Sequence, residues 1–135
     1  MLVARLKFKE HLKKEFVKQP SSIFTHTSED KFLVSMHDIV EKNFSDPDFS
    51  IEKLAEEIGY SRSQLFRKMK ALLDTTPVEF LKVYRLTKAK ELIEQGNPRV
   101  SDIAYDVGFN DPVYFSICFK NQFGYPPNHF IKSKN

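Results

Sequence analysis

The chain has 135 residues, 41% hydrophobic and 13% aromatic with no Trp, which is enough apolar material for one packed domain or two small ones. Its net charge of +3 is too small to name a partner, and a lone cysteine, Cys118, excludes an internal disulfide and a cysteine-built zinc site. No apolar run approaches the roughly 20 residues that span a bilayer, and Met1 to Lys9 lacks the unbroken apolar centre of a signal peptide, so a cytoplasmic domain is expected.

The charge is unevenly spread. Residues 1–18 hold six Lys/Arg against two Glu, and residues 29–57 three Lys against nine acids. Residues 58–90 hold eight Lys/Arg against two acids, and residues 91–135 four against five. Apart from the basic leader, the positive field gathers on residues 58–90, about a quarter of the chain, as an electrostatic footprint would.

Residues 1–18 read as a basic amphipathic helix, with Leu2, Leu6, Phe8, Leu12 and Phe16 among six cations. Such a segment could touch a membrane, a partner helix or DNA; a connector from an upstream domain is the favoured reading. Residues 20–28 are Ser/Thr-rich and read as an extended linker. Asp30 begins a helix with Phe32, Leu33, Met36, Ile39, Val40 and Phe44 on one face, broken by Asn43 to Asp48. Ser50 caps the next helix, Ile51, Leu54, Ala55 and Ile58 face inward, and Gly59 stands at the C-terminal stop.

Two residues later Ser61 and Gln64 have capping-box spacing, and Tyr60 and Leu65 that of a hydrophobic staple. Leu65, Met69, Leu72 and Leu73 make an apolar stripe, while Arg62, Ser63, Gln64, Arg67, Lys68 and Lys70 lie opposite, with no acid before Asp74. A helix with a dry back and a cationic front suits a groove of DNA. Taken alone, a solvated helix face explains it as well. This helix–short turn–helix arrangement is a helix-turn-helix candidate, with Ala55 and Gly59 small where two helices must approach closely.

Thr76 caps a further helix, Pro77 takes its first position and Glu79 completes a second capping box. This helix, Pro77 to Gln95, is about 28 Å long at 1.5 Å per residue. Its apolar residues spread around the circumference, as suits different neighbours at its two ends. Gly96-Asn97-Pro98 stops it.

The pattern then repeats. Ile103-Ala104 and Val107-Gly108-Phe109 match Leu54-Ala55 and Ile58-Gly59-Tyr60 at a shift of 49. Phe115, Phe119, Lys120, Pro127 and Phe130 match Leu65, Met69, Lys70, Pro77 and Phe80 at a shift of 50. Asp111 can cap, residues 111–123 form the second copy of the cationic helix, and Pro127 to Lys132 a short last helix. One helix-turn-helix reads few base pairs, and a second is usually needed about 34 Å away, one turn along the duplex. Here one chain holds both, joined by a helix of nearly that length.

These residues resemble the bacterial AraC/XylS-type transcription regulators over about residues 30–132. The likeness is carried by Leu54-Ala55 through Gly59-Tyr60-Ser61, Leu65-Phe66-Arg67-Lys68-Met69-Lys70, Thr76-Pro77-Val78-Glu79-Phe80, Arg85-Leu86 with Ala89, Ile103 through Phe109, Tyr114-Phe115, Phe119-Lys120, and Phe123-Gly124-Tyr125-Pro126-Pro127. It implies an all-α, homeodomain-like fold of seven helices: residues 30–75 and 99–132 form two helix-turn-helix subdomains joined by a linker helix, 77–95, and together residues 30–135 form the DNA-binding domain. Residues 62–73 and 112–123 would be recognition helices in successive major grooves of double-stranded DNA. The leader, residues 1–29, resembles the segment that joins a receiver domain to this domain in hybrid two-component regulators. The chain would then be the output end of a larger sensor whose far end could lie in the inner membrane.

Carried over by position, Arg62, Ser63 and Arg67 would reach base edges with Gln64 near them, and Arg67 is the strongest candidate because a guanidinium grips guanine O6 and N7 bidentately. Ser61, Lys68 and Lys70 would meet phosphates, and Phe66 could pack in the turn, the favoured reading, or touch a thymine methyl. In the second copy Val113 and Ile117 could touch thymine methyls, Ser116 a base or phosphate, Asn110 the backbone, and Lys120 is the only cation. The first module is thus expected to supply most of the affinity. RNA polymerase is a further candidate partner, and a homodimer could form through the N-terminal helix; no membrane contact by this segment is expected.

No catalytic or metal site stands out: His11, His26, His37 and His129 are scattered, and Cys118 sits between apolar neighbours, so no cofactor is expected. Phe115, Phe119, Phe123 and Phe130 fall at helical spacing and read as core. The competing function is a protein-interaction module that kept this scaffold with little DNA affinity, its acidic residues 29–57 facing a basic partner such as polymerase.

Overall fold

The structure is a computed structural model that describes residues 28–134. The expected N-terminal helix and most of the linker lie outside the described residues. Within them seven helices and no strand are found: α1 (Ser28–Asn43), α2 (Ile51–Ile58), α3 (Arg62–Leu73), α4 (Pro77–Glu94), α5 (Val100–Asp106), α6 (Pro112–Phe123) and α7 (Pro127–Lys134). None is long and apolar enough to cross a membrane.

Most starts follow from a side chain that takes up a free backbone N–H. Lys53 N–H donates to Ser50 Oγ at 3.2 Å, Glu79 N–H to Thr76 Oγ1 at 3.1 Å and Val113 N–H to Asp111 Oδ1 at 2.9 Å. The full capping box forms at α3, where Gln64 N–H donates to Ser61 Oγ at 3.1 Å and Ser61 N–H to Gln64 Oε1 at 2.9 Å. Each such cap is worth about 1 kcal/mol. Three ends differ from the sequence expectation. α1 is already helical at Ser28, the first described residue, with Glu29 and Asp30 in its first turn, where acids favour the helix dipole. α4 stops one residue before Gln95, and α7 runs past Lys132, both within ordinary fraying.

The chain divides into two compact units, one of residues 28–42 and 50–80, the other of residues 43–49 and 81–134. The first buries Phe32, Leu33, Met36 and Val40 of α1, Leu54 and Ala55 of α2, and Leu65, Met69 and Leu73 of α3. The second is built on Leu86, Ala89, Ile93, Ile103, Ala104, Val107, Phe109, Phe115, Cys118 and Phe119. Cys118, Phe115 and Phe119 are therefore core, as their spacing implied, while Phe123 and Phe130 are partly buried and pack against that cluster. The segment 43–49, which the sequence pattern keeps with the first subdomain, packs in the second unit. The reason is Arg85 of α4: its Nε donates to the Phe44 carbonyl at 2.8 Å and its Nη2 to that of Asp46 at 3.0 Å. Burial pulls the pKa of this guanidinium down, opposed by the Asp46 charge, and it remains a cation.

The repeat is written in the backbone. Tyr60 N–H donates to the Ala55 carbonyl at 2.9 Å, and Phe109 N–H to that of Ala104 at 2.9 Å. Gly59 N–H donates to Glu56 O at 3.2 Å and Gly108 N–H to Tyr105 O at 3.1 Å. Both glycines are left-handed, at φ 81° and 95°. This is the turn that ends one helix and aims the next. The two positions differ in room. A Cβ on Gly59 would meet nothing within 4 Å, whereas one on Gly108 would collide with the Phe44 carbonyl and lie 2.8 Å from Arg85 Nε.

Gly59→Ala should therefore cost about 1–2 kcal/mol, the left-handed strain alone. Gly108→Ala should cost a further ~1–3 kcal/mol, because the Arg85 bridge holds the obstructing carbonyl in place. Urea unfolding of the two variants checks this, and equal losses would show that the bridge yields.

Candidate nucleic-acid interface

α3 sinks Leu65, Met69 and Leu73 and leaves Ser61, Arg62, Ser63, Gln64, Phe66, Arg67 and Lys70 exposed. Arg62, Ser63, Phe66 and Arg67 line one open concavity of about 660 Å³. α6 does the same: Phe115, Cys118 and Phe119 are buried, while Pro112, Val113, Ser116 and Ile117 line a concavity of about 540 Å³ with Val100, Ser101, Lys120 and Pro126. Positions 62, 63, 66 and 67 become 112, 113, 116 and 117 at the repeat shift of 50. The structure thus brings the matching positions of both copies to an open surface of their own unit. Asn110 is exposed just before the capping Asp111.

The cations of α3 are not equivalent. Arg62 pairs with Glu52 of α2 through Nη1 and Oε1, both side chains being well exposed. Lys70 Nζ lies 3.8 Å from Asp74 Oδ1 one turn on. Lys68, expected at a phosphate, is half-buried, with its ammonium 5.2 Å from the Phe32 ring centre and 5.5 Å from that of Tyr60. Such contacts are worth about 0.5–1 kcal/mol each at exposed sites. They tie Lys68 to α1 and to the turn. Among the described residues Arg67 has no ion-pair partner. Ser61 Oγ and Gln64 Oε1 are engaged in the capping box, which leaves the Gln64 amide N–H groups outward-capable.

Two residues here escaped the sequence. Phe66, for which packing was the favoured of two readings, is 46% exposed and stands beside Arg67. It lies one residue, about 100° around the helix, from the buried Leu65, so it cannot share that face. Its match with Ser116 at the repeat shift was the available signal. Glu52 sat in the acidic block with nothing to mark it, since its partner lies ten residues on in another helix. Its carboxyl is held below the usual range, first by its own backbone N–H at the start of α2 and then by the Arg62 guanidinium.

Residues 54–133 match the family described as a helix-turn-helix domain. The chain is 37% identical over 111 residues to histidine kinase P4 of Formosa agariphila, which covers 82% of this chain and 8% of that protein. The C-terminal domain of AraT, a response regulator from Geobacillus stearothermophilus, superposes with a TM-score of 0.72 at 28% identity, covering 79% of this chain and 88% of that one. A transcriptional regulator of Chromobacterium violaceum described among AraC-type DNA-binding domain-containing proteins superposes at 0.71 and 28% identity, covering 77% and 92%. The curated relatives are longer: the chain spans 8% of the kinase and about a third of others.

Because the backbone N–H leads the depression of the Glu52 pKa, Arg62→Ala should raise that pKa yet leave it below the usual carboxylate range. A depressed carboxylate stabilises the fold above its unfolded pKa and loses that contribution as pH falls through the folded pKa. NMR titration of the Glu52 carboxyl in both proteins reads this directly, and a return to the ordinary value in the variant would make Arg62 the main cause.

Proposed function

The chain belongs to the AraC-type helix-turn-helix family of transcription regulators, and from that premise we propose that α3 and α6 enter successive major grooves of double-stranded DNA as recognition helices. The observation that carries this is the matched set of four outward positions on the two helices, each lining an open surface backed by its own core. The 18 residues of α4 supply about 27 Å of helix, on the scale of one DNA turn.

Within this proposal Arg67 grips a guanine edge, with Arg62, Ser63 and Gln64 at neighbouring bases. Phe66 joins them at the surface. Lys70, Ser61, Asn110 and Lys120 meet the phosphate backbone and set register. Lys68, drawn to two rings, adds less than its charge suggests. Val113, Ser116 and Ile117 make the base contacts of the second helix. The first module then supplies most of the salt-dependent affinity, because α6 contributes Lys120 alone.

The proposal extends to the chain as a whole. Residues 1–29 are a basic linker from an upstream domain and residues 30–135 the DNA-binding domain, working in the cytoplasm as the output of a two-component signalling protein. The likenesses to a histidine kinase and a response regulator support that role. RNA polymerase is a second partner, met by the acidic residues 29–57. Pairing of two copies through residues 1–18 rests on a segment outside the described residues. No catalytic step and no cofactor enter this function.

Gel shift with random duplex at two salt concentrations is the first test. Binding should weaken steeply with salt; no shift at low salt would favour a protein-interaction module. On a site selected from a random library, Arg67→Ala should cost about 1–3 kcal/mol and relax preference at one base pair. Lys68→Ala should lower unfolding stability more than it lowers DNA affinity, which a paired melt and binding titration would separate.

A further inference from the structure

On the DNA-binding reading above, the outward face of α6 poses a chemical question. Val113 and Ile117 are 70% and 54% exposed, and at a spacing of four they stand side by side on the helix. They share one concavity with Ser116 and Lys120, and among the described residues Lys120 is the only charged one lining it. They cannot turn inward. Behind them Phe115 packs on Phe109 at 5.1 Å between ring centres and on Phe119 at 5.7 Å, and Phe119 on Phe130 at 5.7 Å. Rotating α6 would break that stack. Both side chains are β-branched and stiff at χ1, so their methyl groups are presented in fixed directions.

Neither side chain can hydrogen-bond. Their counterparts on α3, Ser63 and Arg67, can. A base edge in the major groove offers one apolar group, the C5 methyl of a pyrimidine. Thymine carries it, and so does cytosine methylated at C5. The two bases differ next to that methyl, where thymine has the O4 acceptor and cytosine the N4 donor. Ser116 lies between the two aliphatic residues, and its hydroxyl can both donate and accept.

We propose that Val113 and Ile117 form a reader of pyrimidine C5 methyl groups, with Ser116 serving either exocyclic group. The second half-site is then recognised by its methyl pattern. Thymine and 5-methylcytosine are both accepted at the contacted step, and uracil and cytosine are both disfavoured. Recognition by this helix responds to C5 methylation of cytosine, which the guanidinium-based contact of α3 does not require.

The test uses the full chain and a duplex selected from a random library. The α6 half-site is the half whose base preference survives Arg67→Ala. Each thymine there is replaced in turn by uracil, still opposite adenine, or by cytosine or 5-methylcytosine with guanine placed opposite, so that every duplex stays fully paired. Uracil should weaken binding about fourfold at one or two positions, the weight of burying one methyl-sized group. At the same positions 5-methylcytosine should bind tighter than cytosine by a similar factor. In Ile117→Ala or Val113→Ala, both exposed sites that leave the core intact, the thymine–uracil difference should vanish with the salt dependence unchanged. A flat uracil scan in the unaltered chain overturns the proposal, as does a difference that survives both substitutions. Failure to bind any duplex at low salt overturns the DNA-binding reading itself and this proposal with it.

Discussion

The hydrogen bond from Tyr60 N–H to the Ala55 carbonyl, and its twin from Phe109 to Ala104, is the constraint on which both helix-turn-helix units depend. It closes the end of one helix on a left-handed glycine and leaves two residues before the next begins in the first copy and three in the second. That gap sets where the capping residue falls, Ser61 in one copy and Asp111 in the other. The cap sets the helical phase, and the phase decides which residues of α3 and α6 are sunk and which are turned out. An outward face made of positions 62, 63, 66 and 67 is therefore a consequence of backbone closure several residues earlier.

The second copy carries an added restraint. Arg85 holds the 43–49 segment by two carbonyls, and one of those carbonyls stands against Gly108. A half-buried guanidinium that satisfies two backbone acceptors is costly to leave unpaired, so the bridge restrains the segment it holds. The glycine at 59 has no such neighbour. Equivalent letters in a repeat thus answer to different physical demands, conformation alone in one place and conformation plus space in the other.

The outward faces diverge as much as the turns agree. At the matched positions α3 offers guanidinium and hydroxyl groups beside an aromatic ring, and α6 offers aliphatic groups and one hydroxyl, with the ammonium of Lys120 nearby. Cationic contacts to phosphate provide affinity that salt erodes, whereas contacts to base edges carry the sequence information. Even on α3 the charge is partly spoken for: Glu52, Asp74 and two aromatic rings engage three of its four-residue set of Arg62, Arg67, Lys68 and Lys70. Arg67 stands apart from that group.

The helices, their caps, the repeat and the buried faces were legible in the chain because each rests on local spacing: Ser61 to Gln64, Leu65 to Met69, Gly59 two residues before a cap. Leu54, Leu65 and Phe119 are buried for that reason. What depends on partners from distant segments was not legible. Arg85 meets a loop about 40 residues earlier, Lys68 meets a ring on α1, and Arg62 meets an acid on another helix. Hydrophobic character favours packing for Phe66, but helical phase turns it outward, where its other reading, contact with a thymine methyl, has room. The sequence by itself determined the architecture and the outward positions, since periodicity and capping act within a turn of helix. Only the tertiary structure decided which cations are engaged, because ion pairs and ring contacts form between side chains that folding alone brings within a few ångströms.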